Sequence, residues 1–256
     1  MATLSYASAG QYYTVKPLDR RAGWARWLCL GMAATELLFL ITLGVMLWAA
    51  PQYDVALERY ENSPVNSAEE QAALNDMNRL NLVETLADFF HSVVQFPIMV
   101  GFWVAFGMWI FRAVGNARAA TGDSYKTPGW SVGWWFIPFA NLVVPYFILR
   151  DLYERSGRAE VHGGGLPRWI WFGFIGSIVL AVIALIYWVW AEDAGTTLTF
   201  DAGVNAVLLT LATAGSIGFY LGLRLLIGRV TQSTPTEVRG RGWTPSVQVA
   251  ANNASA

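Results

Sequence analysis

Long apolar runs separated by shorter polar stretches dominate the pattern along this chain. A helix needs about 20 mostly apolar residues to cross about 30 Å of hydrocarbon. Five runs approach that length, at 27–50, 89–111, 131–149, 169–190 and 204–227. Because these runs are about as long as membrane-spanning helices, the pattern predicts an all-α integral membrane protein.

The third run differs from the other four. Pro138 and Pro145 each remove a backbone donor and clash with the preceding turn, so a straight helix through both is costly. Asn141 lies between them with an amide that lipid cannot satisfy. Irregular backbone at membrane depth is tolerated only where protein or water covers it. The run at 131–149 is therefore expected to be a broken segment packed among the spans.

The distribution of Lys and Arg separates two topologies, since these residues favour the cytoplasmic side. If all five runs span the membrane and the amino-terminal segment is inside, the inside holds 7 basic residues and the outside 10. If 131–149 enters and leaves on the cytoplasmic face, the totals become 15 and 2. We therefore predict four transmembrane helices plus a Pro-broken re-entrant or interfacial segment, with both ends cytoplasmic. Five spans remain the alternative.

The polar segments complete the predicted organisation. We expect a cytoplasmic segment at 1–26, a membrane domain at 27–230 with an acidic outer loop at 51–88, and a disordered cytoplasmic tail at 231–256. Within the acidic loop, Ser67 and Glu70 have the spacing of a capping box and predict a helix running towards the second span. After the third run, Arg150 and Asp151 each have an opposite charge four residues later, which predicts a short interfacial helix.

Composition excludes several classes of function. The 256 residues are 55 % hydrophobic and 14 % charged, whereas about a quarter of a soluble domain is charged. The net charge of −1 is too balanced for nucleic-acid binding. One cysteine and two histidines argue against an internal disulfide and His-rich metal sites. We expect no cofactor, and no recognised catalytic motif points to an enzyme.

Glu36 is the most distinctive single residue. It lies roughly 13 Å into the first span at 1.5 Å per residue, where an ionisable group is expensive and normally faces the helix bundle. It could be a proton or cation site, or a protonated side chain that joins helices by hydrogen bonding. His91 and Gln95, near the outer end of the second span, are expected to be too far away to pair with it directly.

Small side chains recur every fourth residue along the last span. Such a ridge lets two helix backbones approach closely. It predicts helix packing, against either another span or a second copy of the chain. The ridge consists of Ala206, Thr210, Ala214, Gly218 and Gly222.

The segment around the two prolines also resembles a known family. The run PGWSVGWWFIPFANLVVPY, starting at Pro128 and continuing to LRDLY at 149–153, is similar to the signature of a bacterial membrane family known as domain of unknown function 4328. The similar hydrophobic plan extends over about residues 17–230. The resemblance implies a multi-span inner-membrane protein without an assigned activity, and it supplies no catalytic residue. The candidate residues in this segment are Trp130, Trp134, Trp135, Pro138, Asn141, Pro145, Arg150 and Asp151.

Two functional hypotheses follow. The first is a non-enzymatic polytopic inner-membrane protein in which the broken segment acts as a docking, gating or scaffold element. The second is a small transporter or proton-coupled carrier that uses Glu36, since broken helices at membrane depth are where such proteins bind solutes. A membrane-bound lipid enzyme ranks below both. The expected partners are the bilayer and either a membrane protein or a second copy of this chain.

Overall fold

The computed structural model describes residues 5–8, 11–14, 17–121, 126–156, 165–194 and 198–233. Apart from one short β-hairpin near its start, the chain is within these ranges an all-α membrane protein, as predicted. The helices are α1 (Asp19–Asn62), α2 (Ala68–Thr121), α3 (Pro128–Gly133), α4 (Val144–Arg155), α5 (Gly165–Ala194) and α6 (Leu198–Ser233). Two short 3-10 helices, Trp134–Phe136 and Ala140–Leu142, lie between α3 and α4. Almost all of the predicted tail, from residue 234 onward, lies outside the described residues.

Four helices are long and apolar enough to cross a membrane, which confirms the four predicted spans. They are α1, α2, α5 and α6, and no more than a third of each apolar stretch is buried inside the protein. The remaining apolar surface is available to lipid, which suits a multi-pass membrane protein. The remaining apolar run, at 131–149, lies within two short helical pieces, Pro128–Phe136 and Ala140–Arg155, which meet at an angle of 108°. A bent pair of this kind is the broken segment that the prolines predict.

The predicted acidic loop is largely helical, which the sequence indicated only in part. Pro51 lies inside α1, which continues to Asn62 before a turn at 63–67. Packing against α2 explains the extension, because Ala56 and Ala73 are both buried. Arg59 also forms an ion pair with Asp76 at 3.3 Å. The tertiary contacts therefore outweigh the local tendency of proline to end a helix.

The start of α2 confirms the predicted helix cap. The Glu70 backbone N–H donates to the Ser67 hydroxyl at 3.1 Å. The Glu70 carboxylate turns back and accepts a hydrogen bond from the Asn66 backbone N–H. From this cap α2 runs towards the second span, as predicted, and continues into it as one helix.

A small β-hairpin near the start of the chain was not predicted. Strand β1 (Ser5–Ser8) pairs antiparallel with β2 (Gln11–Thr14), and Tyr6 lies opposite Tyr13. Each strand has four residues, which is too short for an alternating pattern to be recognised with certainty in the sequence.

The described residues fall into two compact units, which differ sharply in charge. The first, here called the basic unit, is drawn from Met1–Cys29, Gly101–Trp171 and Gly222–Ala256. Its described residues include eleven Lys and Arg but three Asp and Glu. The second, the acidic unit, is drawn from Leu30–Val100 and Phe172–Leu221. Its described residues include two Arg and twelve Asp and Glu.

Candidate functional site

The segment from Pro128 to Arg155, here called the broken hairpin, lies in the basic unit. Its first helix starts as the sequence dictates. Thr127 has an extended backbone, and Pro128 occupies the first turn of α3, where its missing N–H has no helical partner to lose. Ser131 is fully buried, and its hydroxyl donates to the Pro128 carbonyl at 2.5 Å. These contacts fix the direction in which the chain enters the hairpin.

The break between the two arms is centred on Phe139. Its φ of 62° is in the left-handed region, which non-glycine residues seldom adopt. Two backbone hydrogen bonds hold the turn, from Ala140 N–H to the Pro138 carbonyl at 2.7 Å and from Asn141 N–H to the Ile137 carbonyl at 2.9 Å. The turn thus satisfies some of the backbone groups that the prolines leave out of a helix.

Trp135 anchors the hairpin in the basic unit. Its side chain is 5 % exposed, and its ring lies edge-on to Phe106 with centroids 4.9 Å apart. The rings of Trp103 and Trp171 lie 5.8 and 6.1 Å away. Such close aromatic pairs stabilise a fold by more than the burial of their apolar area alone. The indole N–H of Trp171 also donates to the Leu142 carbonyl at 3.0 Å, so the same cluster holds both arms.

Three buried polar atoms of the hairpin have no hydrogen-bond partner in the part of the chain that the structure describes. They are the indole nitrogens of Trp134 and Trp135 and the side-chain oxygen of Asn141. Buried groups of this kind are uncommon and cost free energy. Two donors and one acceptor of this kind thus lie in one short segment, and the acceptor belongs to Asn141, whose amide lipid cannot satisfy.

The tip of the hairpin is apolar and exposed. Phe136 is 65 % exposed and Phe139 is 85 % exposed. Pro138 is also exposed, whereas Pro145 is buried at the start of α4. Trp130 is exposed, and its ring lies tilted against that of Trp134 with centroids 5.2 Å apart. The hairpin therefore presents apolar surface on a base that is fixed by buried aromatic rings.

The second arm, α4, confirms the predicted charge pairs. Arg150 bonds to Glu154 at 2.6 Å, and Arg155 bonds to Asp151 at 2.7 Å. The hydrogen bond that Arg150 donates to the Glu154 carboxylate raises the pKa of the Arg150 guanidinium. On the buried face of α4, the Tyr153 hydroxyl accepts a hydrogen bond from Arg229 of α6 at 3.2 Å. The arm is thus amphipathic, with its ion pairs on the polar side.

Glu36 lies in the acidic unit and is partly buried in α1. Among the described residues it has neither a hydrogen-bond nor an ion-pair partner. Phe39, one turn further along α1, contacts the His91 ring of α2 at a centroid distance of 5.5 Å. This ring contact packs α1 against α2 one turn away from Glu36.

Only some of the small residues of the α6 ridge are buried or in close contact with another helix within their own unit. In the acidic unit Ala206 is buried, whereas Thr210, Ala214 and Gly218 are exposed. In the basic unit a Cβ on Gly222 would lie 2.6 Å from an Ile170 side-chain carbon.

A close helix contact that the sequence analysis did not single out lies one residue from the ridge. A Cβ on Gly215 would come within 3.0 Å of the Gly173 carbonyl oxygen of α5. The only sequence signal for this contact was a glycine on the preceding helix. That glycine is Gly173 of α5, three residues after Ile170.

The composition gave little reason to expect a metal site, and the described residues contain no group of three or more His, Cys, Asp or Glu side chains that could hold a metal ion.

Comparison with known families gives one match. The profile described as Domain of unknown function (DUF4328) matches residues 71–226, which is more than half of the chain. The match includes the whole broken hairpin. It starts at 71 rather than near 17, so the first span and Glu36 lie outside the matched residues. No curated protein and no solved structure matches the chain.

Proposed function

Since this chain belongs to the DUF4328 family, we propose that it is a non-enzymatic protein of the bacterial inner membrane whose broken hairpin acts as a docking or gating element. One observation supports this most directly. An exposed apolar tip around Phe139 stands on a base that Trp135 fixes among buried rings. A surface fixed before binding loses less conformational entropy when a partner binds.

The matched residues favour the hairpin over Glu36 as the family's working part. The hairpin lies wholly within 71–226, whereas Glu36 lies before that range. A property that depends on the family region should therefore depend on the hairpin. The partner in this proposal is another membrane protein or a second copy of the chain, bound within the lipid bilayer.

We further propose that both chain ends are cytoplasmic and that the hairpin enters and leaves the membrane on that side. The support is the excess of Lys and Arg in the basic unit, which contains the hairpin and the described ends of the chain. Cytoplasmic segments of membrane proteins are enriched in these residues. A fifth span at 131–149 would place the residues after α4 on the other side.

Cysteine labelling in spheroplasts tests this topology. Cys29 is the native cysteine and is buried, so Cys29→Ser provides the background. Ser156→Cys, just after α4, is expected to react with a membrane-impermeant maleimide only after permeabilisation. The control is Val65→Cys in the turn between α1 and α2, where the native side chain is 82 % exposed. Val65→Cys is expected to react in intact spheroplasts. Reaction of both positions without permeabilisation would contradict the proposal.

The carrier hypothesis remains the alternative, because Glu36 is a partly buried carboxyl group without a bonded partner among the described residues. Glu36→Gln imitates the protonated side chain and removes its titration. The docking proposal expects the variant to fold and to support growth like the wild type between about pH 5 and 8. A pH-dependent growth defect in a variant of unchanged thermal stability would favour the carrier instead.

A further inference from the structure

The basic unit contains more positive charge than its own acidic residues can neutralise. Its described acidic residues are Asp19, Asp151 and Glu154, and the last two are bonded to arginines within α4. Several arginines of α1, α2 and α6 have no ion-pair partner among the described residues. They are Arg20, Arg21, Arg26, Arg112, Arg224 and Arg229.

Arg26 is the most constrained of these arginines. Its guanidinium lies over Gly228 of α6, so that a Cβ at that glycine would be 3.5 Å from the Cζ and Nε atoms of Arg26. The Nε–H is buried and has no hydrogen-bond partner within the described ranges. A buried donor on a charged group without an acceptor is expensive. The surroundings of Arg26 therefore favour binding of an anion whose oxygen atoms can accept a hydrogen bond from this Nε–H.

Arg224 lies at the same crossing of α1 and α6. Its Cζ atom is 5.9 Å from the centre of the Trp27 ring. Arg224 and Gly228 are four residues apart and share one face of α6, while Arg26 and Trp27 are consecutive on α1. The contacts of both arginines thus place two positive groups along one seam between these helices.

Neighbouring positive charge adds to the attraction for an anion. Arg21, which lies five residues before Arg26, donates to the Met108 carbonyl of α2 at 3.4 Å. Arg112 lies four residues after Met108 on α2, so its positive charge is close to that of Arg21. An anion bound close to this end of α1 would relieve the repulsion between these two charges.

We propose that Arg26 and Arg224 bind the phosphate group of an anionic phospholipid. Guanidinium groups form planar, paired hydrogen bonds with phosphate oxygens. Two exposed tryptophans of α1 indicate a lipid as the source of the phosphate, since Trp24 is 60 % and Trp27 is 69 % exposed. Tryptophan is enriched where lipid headgroups meet the hydrocarbon. The site is a specific one, distinct from the general preference of basic residues for the cytoplasmic side.

Native mass spectrometry of the delipidated full-length protein in detergent tests the site. Phosphatidylglycerol is expected to bind more tightly than phosphatidylcholine of the same chain length. Arg26→Gln combined with Arg224→Gln is expected to weaken phosphatidylglycerol binding by about tenfold or more, because charge-assisted hydrogen bonds to phosphate are lost. Phosphatidylcholine binding should change little.

Arg59→Gln combined with Arg79→Gln is the matched control. It removes the same number of arginines, and both are in the acidic unit. Phosphatidylglycerol binding to this variant should stay within about twofold of the wild type. An equal loss in both double variants would show that only net charge matters and would overturn the proposal. Equal binding of the two lipids by the wild type would also overturn it.

A further experiment distinguishes the phosphate of a lipid from free phosphate. Thermal unfolding is measured with added phosphatidylglycerol and, separately, with inorganic phosphate. Stabilisation by the lipid alone is expected, and equal stabilisation by inorganic phosphate would overturn the assignment to a lipid. Arg26→Lys combined with Arg224→Lys keeps the charge but not the planar geometry. If this variant folds and binds phosphatidylglycerol as tightly as the wild type, the guanidinium role is wrong.

Discussion

The contact between Gly173 and Gly215 shows how a single residue decides where two helices meet. A Cβ at Gly215 would be 3.0 Å from a backbone oxygen and 3.2 Å from the Ser177 Cβ atom. Backbone atoms cannot move aside as a flexible side chain can, so the helices would have to separate. At Gly218, three residues later on the same helix, a Cβ would meet nothing within 4 Å.

These two glycines make a matched test. Gly215→Ala is expected to destabilise the protein by about 1–3 kcal/mol through overpacking. Gly218→Ala should be neutral or stabilising by up to about 1 kcal/mol, because alanine favours the helix. Reversible unfolding in mixed micelles with increasing SDS measures both. Equal stability of the two variants would mean that α5 and α6 do not meet at Gly215.

Residue-scale features could be predicted from the sequence only approximately. The repeat of small residues every fourth position identified α6 as a packing helix, but Ala214 and Gly215 are neighbours and the repeat selected the former. Which of two adjacent small residues faces a partner depends on the position of the partner helix. A single helix period does not contain that information.

At the scale of elements, the broken hairpin was predicted correctly where proline decides the structure. Pro138 and Pro145 predicted the interruption, and the two arms meet at 108°. The spacing of charges likewise predicted both ion pairs of α4. The left-handed backbone at Phe139 could not be predicted, since phenylalanine rarely adopts it and nothing local calls for it.

The turn at Phe139 allows a second test. Phe139→Gly is expected to stabilise the protein by about 1 kcal/mol, because glycine adopts a positive φ without steric cost. Phe136→Gly, at an exposed aromatic position with a negative φ, should instead destabilise it by about 1 kcal/mol. The same SDS unfolding measurement compares the two. Destabilisation by Phe139→Gly would show that the aromatic side chain matters more than the backbone strain.

The extension of α1 past Pro51 shows where element boundaries escape prediction. A proline after an apolar run ordinarily indicates the end of a helix. Here α1 continues to Asn62 because the residues that follow pack against α2. Such support from a distant part of the chain is a tertiary effect, and local preferences do not reveal it.

At the scale of the whole molecule, hydropathy was sufficient to predict the fold class and the four spans. The bilayer requires a minimum number of consecutive apolar residues in each span. That number can be recognised in a single sequence. The site is different, because buried polar atoms such as those of Trp134 and Asn141 become visible only when their surroundings are known. The arginine seam of α1 and α6 likewise joins residues that are far apart in the chain.

The short turn at 63–67 has a practical consequence for imaging. At 1.5 Å per residue, the 44 residues of α1 extend about 66 Å, roughly twice the hydrocarbon thickness. Next to this turn, α1 and α2 are joined by the Arg59–Asp76 ion pair, so we expect their ends to form a stiff helical arm. An antibody fragment that recognises an epitope inserted at Val65 would then move with the arm and provide a fiducial for aligning single particles of this small protein by cryo-electron microscopy.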